Sequence, residues 1–123
     1  MTAPLDKRSF VEALAVIALD QVVIGEVSVM RQPPGRRPSL DLVARSEWFL
    51  GLPDHDQSMV VDVMRETAYA ALHATLCVFD GAATIVDGPD KGQLALTHVR
   101  GGVASDLLSH EEPDLHDLLA EHR

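Results

Sequence analysis

Cysteine is nearly absent: Cys77 stands alone in 123 residues. That excludes an intrachain disulfide framework and any Cys-x-x-Cys metal site, and it suits a reducing compartment. Aromatic residues are almost as scarce, being limited to Phe10, Trp48, Phe49, Tyr69 and Phe79. A core must then be built from Leu, Val, Ile and Ala. Apolar residues make up 46% of the chain, so the supply is sufficient for a folded domain. Positive charge is the third shortage. Ten Lys and Arg face 19 Asp and Glu, giving a net charge of −9. Such a surface repels phosphate backbones and anionic lipid, so neither nucleic acid nor a membrane is expected as partner. It fits a basic protein partner, or serves solubility alone.

Several signatures of catalysis and ligand binding are also missing. There is no GxSxG, no GxGxxG and no GxxxxGK[ST]. The segment Asp87–Gly92 is dense in turn formers but lacks the DxDxDG spacing of a calcium loop. Met1–Phe10 carries Asp6 ahead of any apolar run and has no cleavage pattern, so no signal peptide is expected. Phe10–Val29 is apolar, but Glu12, Asp20, Gln21 and Glu26 lie inside it. Each charge at a bilayer centre costs about 3 kcal/mol, which argues against a transmembrane span. A cytoplasmic location is expected.

What is present reads as one domain over residues 1–123, of the α+β class. Ser9-x-x-Glu12 has the form of a capping box and opens a first helix that is apolar around most of its circumference. Gly25 ends this helix or is crossed by it at a cost of about 1 kcal/mol. Glu26–Met30 alternates like a strand, so both endings are open. The segment QPPGRRP at 32–38 bars helix and ladder alike and predicts a fixed, extended loop. Ser39 or Asp41 caps a second helix to Leu50, with Gly51 as a left-handed stop and Pro53 behind it. Asp54-x-x-Gln57 has the form of another capping box and opens a long helix ended by Asp80-Gly81. Its second half, AYAALHATLCVF, is so apolar that the helix is expected to run into the centre of the domain.

Thr84–Val86 is a short β-branched run, and Gln93–Val99 alternates. Arg100-Gly101-Gly102 then connects a hairpin whose return strand is Val103–Leu108. Pro113 sits near the start of a short last helix with Leu115, Leu118 and Leu119 as its apolar stripe. The expected architecture is three N-terminal helices including a long central one, a small antiparallel sheet, and a short C-terminal helix.

Three constellations invite chemistry. His110, Glu111, Glu112, His116, Asp117 and His122 are close in sequence, yet His110, His116 and His122 are six apart. On a helix that spacing turns the rings about 240° from one another, so a solvated charged terminus is expected, with no metal and no cofactor. His73 lies in the apolar half of the long helix, with Cys77 four residues on and on the same face. A buried neutral imidazole needs a partner, and reactive thiols need access. This pair is therefore expected to be core, with a His73-centred acid/base enzyme as the alternative. The third is the arginine-bearing loop. Arg36 and Arg37 can recognise a carboxylate or phosphate, or pair with the protein's own carboxylates. Trp48 and Phe49 are expected in the core, with a contact patch around Trp48 as the alternative. The candidate binding residues are Arg36, Arg37 and Trp48, and no catalytic residue is assigned.

PPGRRP at 33–38, Ser46 with Trp48-Phe49, LCVFDG at 76–81, DKGQLAL at 90–96 and LHDLL at 115–119 occur in this order. Together they resemble a group of small bacterial proteins of uncharacterised function. The resemblance covers about three quarters of the chain, and its motifs are structural punctuation, so it transfers no site residue. By size and charge the chain also resembles immunity proteins of bacterial toxin systems. That implies a non-catalytic protein-binding module, with a basic toxin domain as partner. Self-association into a homodimer, with the apolar first helix as the seam, is a further expectation.

Overall fold

The computed structural model describes residues 3–109 and 111–123. The fold is α+β, in the element order expected. Its helices are α1 (Lys7–Leu14), a π-helical segment (Ala15–Asp20), α2 (Gln21–Arg31), α3 (Leu40–Leu50), α4 (Asp54–Phe79) and α5 (Leu115–His122). Strands β1 (Thr97–Arg100) and β2 (Val103–Asp106) form an antiparallel two-stranded sheet. Contacts divide the chain into two compact units. Unit 1 takes the residues up to Val16 together with Ala70–Arg123, and unit 2 is Ile17–Tyr69.

The first helix begins one turn earlier than the Ser9 box suggests. Asp6 is the cap, its Oδ1 accepting from the Ser9 amide at 2.7 Å. That bond holds the Asp6 carboxyl below its usual pKa. The earlier start places Lys7 and Arg8 inside the helix, where both find partners in the C-terminal part of unit 1. Gly25 is crossed without a break, and Glu26–Met30 is helix rather than strand. The stop comes at Gln32, which is extended (φ −149°, ψ 98°) as the residue before Pro33 must be. Val11, Ala15, Leu19 and Val23 are buried at a strict spacing of four. A pure α-helix would let that stripe drift, whereas the wider π-helical turns keep it in line. By length and composition alone, Lys7–Arg31 is long and apolar enough to cross a membrane.

In unit 2, α2 packs on α3, around Leu19, Val23, Met30 and Phe49. Ser39 caps α3, its Oγ accepting from the Leu42 amide at 3.3 Å. Gly51 is right-handed (φ −78°), not the left-handed stop expected. Pro53, which lacks an N–H, makes such a stop unnecessary. Asp54 already lies in the first turn of α4 and does not complete a capping box with Gln57. The Gln57 Nε2 instead donates to the Phe49 and Leu52 carbonyls, each at 3.2 Å. It thereby adds a side-chain donor at the end of α3, where the Phe49 carbonyl also accepts from the Leu52 amide.

Unit 1 holds Val11, Ala15, Leu76, Leu107, Leu115, Leu118 and Leu119 buried. The long helix is less buried than the apolar composition of its second half predicts. Only Leu76 of its 26 residues is buried. Ala70, Ala71 and Ala74 raise the hydropathy of its second half but are small enough to stay exposed. Gly81 (φ +78°) ends α4 as expected, with the Ala82 amide returning to the Cys77 carbonyl at 2.9 Å. Residues 81–95 are exposed, and Thr84–Val86 forms no strand. The hairpin turns on Gly101 and Gly102, both at positive φ (57° and 78°), as a two-residue primed turn requires.

Candidate functional site

The densest group of chemically capable side chains lies in unit 1, where the end of α4 meets the start of α5. Helical spacing places His73 and Cys77 on one face of α4, and Asp80 follows one residue past its end. The first amides of α5 have no intrahelical acceptor. Asp114 occupies the capping position but makes no side-chain cap bond. Asp80 caps from a distance instead. Its Oδ1 accepts from the Leu115 amide at 3.1 Å and its Oδ2 from the His116 amide at 2.8 Å. A carboxylate there also meets the positive end of the helix dipole.

The same Oδ2 lies 2.7 Å from His116 Nδ1. The Asp80 side chain is 3% exposed, so this contact is largely shielded from water. His116 Nε2 is 3.5 Å from Asp117 Oδ1. The hydrogen bond to Asp80 raises the His116 pKa above the ordinary histidine value. Burial opposes the shift, and the charges of Asp117, Asp80 and Asp114 add to it. The ring of His73 stands edge-on to that of His116, with centroids 5.6 Å apart. His73 Nδ1 is 3.7 Å from Cys77 Sγ. Burial, with Asp80 and Asp117 nearby, pushes the Cys77 thiol up, so it stays protonated at neutral pH. A protonated thiol is a weak nucleophile.

Asp80, Asp114 and His116 each bring one donor atom within 4.8 Å of the others and are the described residues that could hold a divalent ion. Two of these atoms already serve each other, since Asp80 Oδ2 and His116 Nδ1 are hydrogen-bonded. The charged C-terminal cluster read from the sequence is not what assembles here. Glu112 lies before α5, and His110 lies outside the described residues. His116 finds its partner 36 residues away, which no local spacing announces. The sequence offered only an aspartate just past His73 and Cys77, with nothing to link it to the start of α5.

Two cations in unit 1 are held by its own oxygens. Lys7 Nζ donates to the carbonyls of Ser109 and Glu111 at 2.7 Å, and to that of Pro113 at 3.4 Å. Arg8 pairs with Glu121. Beside the hairpin, Leu94, Leu108, Asp106 and Glu111 help line an open groove of about 670 Å³.

Unit 2 carries the sequence-derived binding residues. Arg36 and Arg37 are exposed on the loop between α2 and α3. Trp48 and Phe49 part company: Phe49 is fully buried beneath the Arg31 guanidinium, which lies 5.6 Å from its ring centroid, while Trp48 is 55% exposed. Adjacent helical positions are about 100° apart, so only one of the two can face α2. No protein-family model, curated protein or solved structure matches the chain.

Proposed function

We propose that this chain is a non-catalytic, acidic protein-binding module of the cytoplasm, and that unit 1 receives a basic protein partner. The observation that carries this reading is the charge of unit 1, where eleven carboxylates stand against five cations. Lys7 is satisfied by three carbonyls and Arg8 by Glu121. The excess of carboxylates gives unit 1 a negative field, which speeds encounter with a positive partner. The groove bearing Asp106 and Glu111 over Leu94 and Leu108 fits the stem and head of a Lys or Arg side chain.

The histidines and the cysteine support the same reading, because their geometry serves the α4–α5 junction. Asp80 is committed to two amides and an imidazole, and Cys77 is held as a thiol. Size and charge fit a basic toxin domain as the partner, which the chain would neutralise as an immunity protein. Arg36 and Arg37, on a loop stiffened by prolines, offer a carboxylate-binding element on unit 2.

The test is affinity capture from extracts of the native cells at low and high salt. The expected result is a basic protein held at low salt, released by high salt, and not captured by Glu111→Lys/Glu112→Lys. Failure to recover any protein at either salt overturns the proposal.

A further inference from the structure

Independently of that reading, we propose that α3 docks a second copy of this chain, antiparallel, about a two-fold axis passing through Ala44. On α3, Leu40, Ala44 and Trp48 recur every four residues, and all three are exposed, Leu40 at 85% and Trp48 at 55%. The opposite face, with Ser46 and Phe49, is already buried. The stripe spans about 12 Å of helix.

Two-fold symmetry makes this stripe its own complement. With Ala44 at the axis, the small methyl groups meet and the two helices approach closely. Leu40 of each copy then lies against Trp48 of the other, pairing an aliphatic with the kind of aromatic anchor that dominates interface energies. The charges agree as well. Asp41 and Arg45, both exposed, flank the stripe on one side. The same axis sets each Asp41 beside the other copy's Arg45.

Net repulsion is smallest in this part of the chain. Unit 2 has five arginines against eight carboxylates, a milder imbalance than in unit 1.

The full chain is tested by sedimentation and by the emission of Trp48, the only tryptophan. A dimer forming with rising concentration, with a matching blue shift, is expected. Ala44→Glu should raise the dissociation constant at least about tenfold (about 1.4 kcal/mol). Met59→Glu, on an exposed position of α4, should leave it unchanged, and far-UV circular dichroism confirms that both variants fold. Asp41→Arg and Arg45→Asp should each weaken the dimer, and the double variant should restore it. Three outcomes overturn the proposal: a monomer at high micromolar concentration, a dimer indifferent to Ala44→Glu, or a Trp48 shift seen only with anionic vesicles.

Discussion

Each of the two units is held together internally by different means. Unit 1 joins segments far apart in sequence through polar clamps: Lys7 on three carbonyls, Arg8 on Glu121, and Asp80 on the start of α5. Unit 2 joins neighbouring helices by apolar packing of α2 on α3, with Gln57 as its side-chain tie to the backbone. Unit 1 buries leucines beneath its clamps but leaves Ile85 and Val99 exposed, and unit 2 leaves Ile17, Ile24, Leu40, Trp48 and Val63 exposed around its own packed centre. Directional bonds let a small unit place its charges. Apolar packing without enough chain to cover it leaves surface for something else to bury.

Substitutions can break this contrast. The largest loss is expected from Phe49→Ala, which empties the fully buried centre of unit 2 and should cost about 3–5 kcal/mol. Urea denaturation measures it. A loss near 1 kcal/mol would mean that packing around Phe49 does not hold unit 2. Asp80→Ala should come next, at about 2–3 kcal/mol, because it strips two helix amides and an imidazole of one shared partner. Asp80→Asn keeps an acceptor and should lose less. Equal losses for the two would assign the effect to shape rather than to hydrogen bonding.

The smallest effect is the dependence on pH. The folded His116 pKa lies above its unfolded value of about 6.5. Its contribution is therefore complete below that value and disappears as pH rises through the folded pKa. The Tm gap between the native chain and His116→Gln should be widest near pH 6 and narrow toward pH 9. A gap that widens with pH would reverse the sign and exclude the Asp80 bond as its source.

Local chemistry was legible in the sequence wherever a few neighbouring residues decide the outcome. Ser39 as a cap, Gly81 as a stop and the Gly101-Gly102 turn each depend on backbone conformation within one turn. Ser9 misled because Asp6 stands three residues earlier with an equally good acceptor, and the earlier start lets Lys7 reach its carbonyls. The burial of α4 was misread because alanine counts as apolar in a pattern yet needs little cover. Of the candidate residues, Trp48 and Phe49 could not be separated without knowing which side of α3 meets α2. The pairing of Asp80 with His116 was beyond reach, since it rests on two helix ends brought together by the rest of the fold.

The hairpin carries one more consequence. Its strands have each other and no third strand among the described residues. The tight turn makes Arg100 and Val103 a hydrogen-bonded pair, and so His98 with Ser105, and Leu96 with Leu107, whose N–H···O contact is 2.9 Å. The N–H groups of Thr97, Val99, Ala104 and Asp106 then point away from the ladder. The sheet is a comb with teeth on both outer sides, and an incoming extended segment would find a ready template on either rim.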